Sequence, residues 1–292
     1  MSNAHRPRRS VLYVPASSEK ALAKAPTLPC DAVVVDLEDA VAPTAKAEAR
    51  ARLAGVFAAR RAGGPDLVIR VNALSSPWGA DDLKAAADCA PDAILLPKVD
   101  GPKDVLAADD MLDSLDADPA IKLWSMIETP KGLLNLGPIA ELGRDPAARL
   151  ACLVAGTNDL VKETGVRMTP DRRWLLGWLQ QIVVAARAGG LDALDGVSND
   201  FRDLEAFARE CDQGRAMGFD GKTLIHPAQV EPANRAFSPS PDEITEARAV
   251  VAAFALPDNA GKGVIQIDGR MVERLHLDQA ERLLAKAGNL AS

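Results

Sequence analysis

The sequence predicts an eight-stranded (β/α)8 TIM barrel followed by a small C-terminal extension of helices and a hairpin. Eight short apolar runs, many of them rich in β-branched residues, stand at 11–15, 32–37, 67–72, 93–99, 122–128, 151–156, 191–197 and 221–227. The runs are continuous rather than alternating, which indicates parallel strands buried on both faces. Between them lie segments of helical periodicity rich in Ala, Leu, Glu, Lys and Arg. Eight such units fit a barrel, and a doubly wound open sheet is the alternative.

The predicted barrel domain covers residues 8–237, and the predicted extension covers 238–292. The segment SPSPDE at 238–243 is typical of a linker that leads into a helix start, because Ser and Pro favour the first positions of helices. Further on, GVIQIDGRMVE predicts a short hairpin with Asp268 and Gly269 as its turn. A last helix is predicted at 278–287. We expect this extension to be a packing appendage or a lid over a site, with the site of a neighbouring subunit as one option.

Composition excludes several functional classes. The formal net charge of −7 argues against a nucleic-acid surface and gives no reason to expect an anionic membrane partner. No apolar stretch approaches the ~20 residues that a membrane span requires. The N-terminal MSNAHRPRRS has no apolar segment behind it, so no secretory signal is predicted. The four cysteines are far apart and never in a CxxC arrangement, which predicts reduced, mostly buried thiols and a cytoplasmic protein.

Polar side chains stand where the predicted strands end. In a barrel these ends form one mouth, where active sites lie. Taken singly, each such residue is more often a solvated loop residue or part of an internal salt bridge, but their shared position favours a common site. The set comprises Asp36, Glu38, Asp39, Arg70, Asn72, Lys98, Glu128, Asn158, Asp159, Asp195 and His226.

Glu128 and Asp159 form a candidate site for a hard divalent cation. They follow predicted strands five and six, and neighbouring strands lie about 4.8 Å apart. Mg²⁺ takes few protein oxygens and keeps positions for water and substrate. The chain has three His, and only His226 stands at a strand end, so zinc or iron is poorly supported. The alternative is an acidic pair without metal, in which one carboxyl has a raised pKa.

Arg70 is a candidate substrate-binding residue at the same mouth. Its guanidinium could clamp a carboxylate through two hydrogen bonds or stabilise a developing enolate oxygen. The alternative role is a salt bridge to the acids of the DLED segment one strand away. The two roles are compatible.

Three lysines form a candidate phosphate-binding cluster. Lys20 and Lys24 are one helical turn apart, and Lys46 begins the predicted helix after strand two. Together they could hold a diphosphate or a nucleotide 3′-phosphate at the rim. A solvated helix face is the alternative.

Seven sequence motifs follow one another along the chain from about residue 8. They read RRSVLYVPA, DAVVVDLEDAVAPTAKAEAR, VIRVN, LLPKV, MIETPKGLLN, GTNDL and GFDGKTLIHPAQ. In this order they resemble the citrate lyase β-subunit-like proteins of the HpcH/HpaI aldolase superfamily. The GTNDL and DGKTLIHPAQ segments, with the tail GKGVIQIDGRMVE, are most similar to the malyl-CoA lyase and (3S)-malyl-CoA thioesterase branch.

This resemblance implies a barrel that acts on 3-hydroxyacyl-CoA thioesters with Mg²⁺, or Mn²⁺ in its place, and that assembles as a homotrimer or homohexamer. The metal carboxylates of the family fall on Glu128 and Asp159, and its substrate arginine falls on Arg70. In relatives the C-terminal segment covers the active site of a neighbour, and some carry an essential aspartate there, which matches Glu273. Family contacts to CoA and substrate fall on Tyr13, Lys20, Lys24 and Lys46.

Two positions depart from the family pattern. Ala16 stands where many relatives have Gly, so the approach of the backbone to the ligand differs slightly. Glu273 is one methylene longer than the aspartate of relatives, which puts in doubt any activity that depends on the shorter acid.

The function that this resemblance implies is cleavage of a 3-hydroxyacyl-CoA such as malyl-CoA into a 2-oxo acid, for example glyoxylate, and an acyl-CoA. One alternative is a (3S)-malyl-CoA thioesterase that releases malate and CoA. A second alternative is the β subunit of a citrate lyase, which acts on citryl-CoA or a citryl carrier protein within a complex.

Overall fold

Eight parallel strands close into a barrel in the computed structural model, which describes residues 7–291 except for the side chains of residues 289 and 291. Each strand pairs with the next along the chain, and the last pairs with the first, with Val11 opposite Thr223. This closure excludes the open sheet. The strands are β1 Ser10–Pro15, β2 Ala32–Asp36, β3 Asp66–Arg70, β4 Ala93–Leu96, β5 Lys122–Ile127, β6 Leu150–Ala155, β7 Asp192–Asp195 and β8 Gly221–Leu224.

All eight strand predictions are confirmed, and helices follow the strands as the sequence predicts. Some connections contain two short helices rather than one. The helices of this part are α1 Glu19–Lys24, α2 Lys46–Ala51, α3 Leu53–Ala58, α4 Gly79–Asp88, α5 Pro102–Ser114, α6 Pro130–Leu134, α7 Leu136–Glu141, α8 Thr157–Thr164, α9 Leu176–Gly189, α10 Leu204–Met217 and α11 Val230–Phe237.

Apolar side chains form two layers, one on each side of the barrel wall, because successive side chains of a strand point to opposite faces. The larger layer lies between strands and helices and includes Val33, Val35 and Ile69. The smaller layer fills the barrel interior with side chains such as Val34 and Trp124. Large aliphatic and aromatic side chains thus make the barrel interior a packed core.

Arg8 packs at the end of the barrel opposite the strand C-termini. Its guanidinium carbon lies 4.9 Å from the centroid of the Trp124 ring, and it forms an ion pair with Asp192, the first residue of β7. Such a stacked cation adds to the burial of the indole.

The chain divides into two compact units, the barrel Arg8–Phe237 and a second unit that contains the C-terminal segment from Ser238. The second unit holds α12 Pro241–Ala255, β9 Val264–Ile267, β10 Arg270–Glu273 and α13 Arg274–Ala291. Ser240 and Glu243 form a reciprocal cap at the start of α12, in which each side chain accepts a hydrogen bond from the backbone of the other.

The predicted hairpin is present in this second unit. Its turn residues Asp268 and Gly269 both have positive φ, +49° and +79°, as a two-residue hairpin turn with right-handed strand twist requires. The final helix begins at Arg274, four residues before the predicted start. The reason is a local cap, because the imidazole Nδ1 of His276 accepts the backbone N–H of Glu273 at 2.9 Å.

Other features also match the sequence analysis. The thiols of Cys30, Cys152 and Cys211 are buried, that of Cys89 is half-buried, and all four are free. Within the described residues, no helix combines the length and apolar character that a bilayer crossing demands.

A buried ion cluster joins β7 and β8 to the surrounding helices. Both oxygens of Asp195 lie 2.8 Å from Nη1 of Arg172, and Oδ2 lies 2.9 Å from Nζ of Lys222. Glu210 on α10 lies 2.7 Å from Lys222. The backbone of Gly196 donates to Asp195 and accepts from Lys222, so the cluster fixes the start of the loop after β7.

Burial alone would raise the pKa of Asp195, but the ammonium of Lys222 and the guanidinium of Arg172 outweigh it and hold the pKa below its ordinary value. We therefore expect Asp195→Asn to lower the free energy of unfolding by about 3–5 kcal/mol at pH 7, because two buried cations lose a shared partner. The measurement is urea unfolding followed by circular dichroism. Asp88→Asn, which breaks the exposed Lys84–Asp88 pair, is the control and should cost less than about 1 kcal/mol.

The pH dependence of this difference has a definite sign. A carboxyl whose pKa is depressed on folding stabilises the protein above its unfolded pKa, about 3.9 for Asp, and this contribution is lost as the pH falls further. The difference in free energy of unfolding between wild type and Asp195→Asn should be largest at pH 5–7 and should decrease below about pH 4. A gap that stays constant down to pH 3 would contradict this account.

Candidate active site

A cavity of about 390 Å³ opens at the C-terminal ends of the barrel strands. It is formed by strand ends and the loops that follow them, as expected for a barrel active site. It gathers Tyr13 and six of the eleven predicted strand-end residues, together with two further polar side chains, those of Thr157 and Thr223. The six are Asp36, Asp39, Arg70, Glu128, Asn158 and Asp159.

Glu128 follows β5 directly and points into the mouth. Its side chain is 1% exposed, and Oε1 accepts the backbone N–H of Lys98 at 2.7 Å. Gly156, after β6, lies against it, since a Cβ on this glycine would stand 2.3 Å from Cβ of Glu128. The backbone N–H of Gly156 meanwhile donates to the carbonyl of Ile127 at 3.0 Å, which continues the β5–β6 pairing. Glycine is required here because any side chain would displace the carboxylate.

Burial raises the pKa of Glu128 to about 8, and the neighbouring carboxylates of Glu38 and Asp159 act in the same direction against the opposing effect of Lys98. The ionised form of this side chain therefore has too little positive charge around it. Asp159 lies in the first turn of α8 with its side chain 18% exposed, and its nearest ion-pair partner, Lys162, is 3.8 Å away.

This pair of carboxylates fits a hard divalent cation. Carboxylate oxygens suit Mg²⁺, which keeps waters and substrate oxygens in its remaining positions. Among the residues described, no group of three or more His, Cys, Asp or Glu side chains is placed to hold a metal ion. The hydroxyls of Tyr13 and Thr157 line the same cavity, and both are buried without a protein hydrogen-bond partner. Oxygen atoms from the ends of several strands thus line one cavity.

Arg70 is held by the acids of the loop after β2. Its Nε and Nη2 donate to the two oxygens of Asp36 at 2.7 and 2.6 Å, and Nη1 lies 2.8 Å from Oε2 of Glu38. Its guanidinium carbon is also 4.9 Å from the centroid of the Tyr13 ring. The predicted salt bridge to the DLED segment is therefore present. A guanidinium has five N–H donors. Besides these three contacts, Nη1 donates to Sδ of Met126 at 3.9 Å and lies 3.7 Å from Oδ2 of Asp39, so one N–H, on Nη2, remains for a ligand.

The structure separates the three predicted lysines. Lys20 and Lys24 are exposed on α1, whereas Lys46 is 5% exposed. Its Nζ donates to the carbonyls of Leu37 and Glu38 at 2.9 and 3.0 Å. Lys46 therefore braces the loop after β2 and does not join the other two at the surface. A phosphate contact of these lysines stays a prediction.

Glu273 lies outside the barrel unit. It ends β10 in the second unit, where its side chain is half-exposed. Its catalytic role, and the lid role of the extension, also stay predictions.

Five residues of the predicted strand-end set do not line the cavity: Glu38, Asn72, Lys98, Asp195 and His226. Asp195 faces outward into the ion cluster, because its position in β7 has the opposite parity to the inward-facing Leu194. Asn72 donates to the carbonyl of Leu37 and to Asp82, and so ties the end of β3 to α4.

The sequence analysis missed Gly156 and Thr157 as site residues. Both belong to the GTND run that contains Asp159, so their place directly after a strand was a usable signal. The contact between Glu128 and the backbone of Lys98 left no such signal, because it depends on an unusual φ rather than on residue type.

Known proteins resemble this chain over most or all of its length. The sequence is 47% identical to a (3S)-malyl-CoA thioesterase of Cereibacter sphaeroides over 292 residues, which is 100% of this chain and 99% of the relative. It is 35% identical to the mitochondrial citramalyl-CoA lyase of Rattus norvegicus, with 97% of this chain and 87% of the relative covered.

A solved structure is also similar. This is protein CitE from Mycobacterium tuberculosis in complex with magnesium, acetoacetate and coenzyme A, with a TM-score of 0.76, 29% identity, and 97% of this chain and 98% of that chain covered. Residues 9–227 match the sequence pattern of the HpcH/HpaI aldolase/citrate lyase family. All eight strands of the barrel lie within that match, and this chain therefore belongs to the HpcH/HpaI aldolase/citrate lyase family.

Proposed function

We propose that this chain is a Mg²⁺-dependent lyase that cleaves the C–C bond of a 3-hydroxyacyl-CoA such as malyl-CoA and releases a 2-oxo acid and an acyl-CoA. The observation that carries the proposal is the buried carboxylate of Glu128, which lines one cavity with Asp159 and Arg70. Two facts about relatives support it: one is a citramalyl-CoA lyase, and the CitE structure holds magnesium together with coenzyme A.

Glu128 and Asp159 would hold the cation, which supplies Lewis-acid polarisation of the substrate oxygens when bound. Arg70 would stabilise the acyl-CoA product, which leaves as an enolate. As the C–C bond breaks, the substrate hydroxyl passes its proton to water and the electron pair of the broken bond moves to the thioester oxygen, where the uncommitted Nη2 N–H of Arg70 donates to the enolate. The enolate carbon then takes up a proton from water to give the acyl-CoA. Asp36 and Glu38 keep the guanidinium in place for this role.

Tyr13 is suited to donate a hydrogen bond to the substrate. Burial raises the pKa of Tyr13 above its ordinary value, and Arg70 offsets this only in part, so the phenol stays protonated at neutral pH. Its hydroxyl has no protein partner and lines the cavity. We assign it to orienting a substrate oxygen beside Arg70.

Thioester hydrolysis is the second candidate function. The relative that is 47% identical over the whole chain is a (3S)-malyl-CoA thioesterase. In this reaction water attacks the thioester carbonyl, and malate and free CoA are released. Glu273 would supply the base, in which case the second unit of one protomer covers the mouth of another in a homotrimer or homohexamer.

One assay distinguishes the two reactions. Purified full-length protein is incubated with (S)-malyl-CoA and Mg²⁺, and then with EDTA, while glyoxylate is followed as its phenylhydrazone and free CoA with a thiol reagent. A lyase should give glyoxylate and acetyl-CoA without free thiol, and EDTA should abolish both products. Malate with free thiol would establish the thioesterase instead. Activity that survives EDTA would contradict the metal site.

We expect Arg70→Ala to lower kcat by about 10²–10³, the usual effect of losing one oxyanion donor. The measurement is the same assay at saturating substrate. Arg70→Lys keeps the charge but not the paired geometry, so it should recover only part of the loss. Arg50→Lys, at a guanidinium that also pairs with two aspartates but stands outside the cavity, is the control. A folded Arg70→Ala protein with near-normal turnover would remove Arg70 from the mechanism.

The role of Glu273 is tested by Glu273→Gln. If Glu273 is the base of a hydrolysis, the rate at which the variant releases free CoA thiol should fall about 10²–10⁴-fold. Glyoxylate formation should change far less, because Arg70 and the metal carboxylates are untouched. Glu246→Gln, in the same unit and paired with Arg270, is the matched control. Normal hydrolysis by Glu273→Gln would exclude this residue as the base.

A further inference from the structure

Lys98 has a backbone conformation that is unusual for its residue type. It follows β4 by two residues and has a φ of +51°, in the left-handed region. Residues with a side chain seldom adopt this region, and they keep it where surrounding contacts determine it. Such an outlier at the mouth of a barrel calls for a functional reason.

This conformation allows Lys98 to make two contacts with different groups. Its backbone N–H donates to Oε1 of Glu128 at 2.7 Å. Its ammonium forms an ion pair with Oε1 of Glu38, whose other oxygen lies 2.8 Å from Nη1 of Arg70. Neither Lys98 nor Glu38 is among the residues that line the cavity. Lys98 therefore lies behind the cavity, where it contacts Glu128 directly and Arg70 through Glu38.

We propose that Lys98 is a positioning residue that orients the metal carboxylate through its backbone and the substrate arginine through Glu38. The metal half of this inference rests on the function proposed above. The ammonium–Glu38 pair holds the left-handed turn, and the turn directs the N–H at Glu128. Outer contacts of this kind fix the orientation of metal ligands, and losing one typically weakens metal binding 10–100-fold.

An ordinary surface ion pair is the competing explanation, and burial argues against it. The side chain of Glu38 is 7% exposed, although that of Lys98 is 37% exposed. The pair of Lys131 on α6 and Asp100 on the loop after β4 is the contrasting case, with side chains 70% and 39% exposed. That surface pair provides a matched control.

The two explanations predict opposite signs for Lys98→Met. If Lys98 were only a nearby charge, its removal would make the carboxylate site more negative and would tighten Mg²⁺ binding. If Lys98 positions Glu128, the Kd for Mg²⁺ should instead rise 10–100-fold. Lys98→Arg keeps the charge, so its Kd for Mg²⁺ should be closer to the wild-type value. The Kd of Lys131→Met should equal that of wild type.

The experiment is calorimetric titration of the full chain with MgCl₂ alone, together with the Mg²⁺-induced shift in Tm, both without substrate. Glu128→Gln marks the loss of the metal ligand. A wild-type protein that binds no Mg²⁺ would reject the proposed function itself. A wild type that binds, with an unchanged or tighter Lys98→Met variant, would overturn the inference alone. Should the Met variant fail to fold, Lys98→Ala, which also keeps the backbone N–H, is interpreted in the same way.

Discussion

The burial of several carboxylates at one end of the barrel is the constraint on which the rest of the site depends. Asp36, Glu38 and Glu128 are each at most 6% exposed, and the cationic side chains that face them are those of Arg70 and Lys98. Removing carboxylates from water is costly unless positive charge and hydrogen bonds replace the solvent. The mouth meets this cost for Asp36 with two hydrogen bonds from Arg70. Burial still raises the pKa of Glu38, despite Arg70 and Lys98, and it raises the pKa of Glu128 as well.

The barrel architecture determines which side chains can meet at this point. Parallel strands place their C-terminal ends on one rim, and the register sets Asp36 of β2 beside Arg70 of β3. The bidentate pair between them is therefore a direct result of strand pairing. The opposite rim is filled by Trp124 and the stacked guanidinium of Arg8, so a ligand reaches the interior from the carboxyl end.

Much of this arrangement could be predicted from the sequence, because it follows from residue type and spacing. Continuous apolar runs predict the strands, and their ends predict the mouth with Glu128, Asp159 and Arg70. Side-chain direction was less predictable, since Asp195 stands at a strand end yet faces the helices. Lys46 shows a second limit. Its place at the start of the helix after β2 led to the prediction of a phosphate contact, which stays a prediction. Its ammonium also donates to two backbone carbonyls, and spacing in the sequence does not reveal these contacts.

The lack of space for a side chain at Gly156 has a consequence for the evolution of related genes. A methyl group at this position would stand 2.3 Å from Cβ of Glu128 and 2.8 Å from Oε2, so even alanine displaces the carboxylate or parts two strands. Both residues directly follow the paired strands β5 and β6, and the backbone N–H of Gly156 donates to the carbonyl of Ile127, so the backbone holds the two positions against each other. In copies of such genes that have lost selection on catalysis, this codon becomes free to drift. A side chain at the equivalent position therefore marks a decayed paralogue whose barrel folds but whose chemistry has been abandoned.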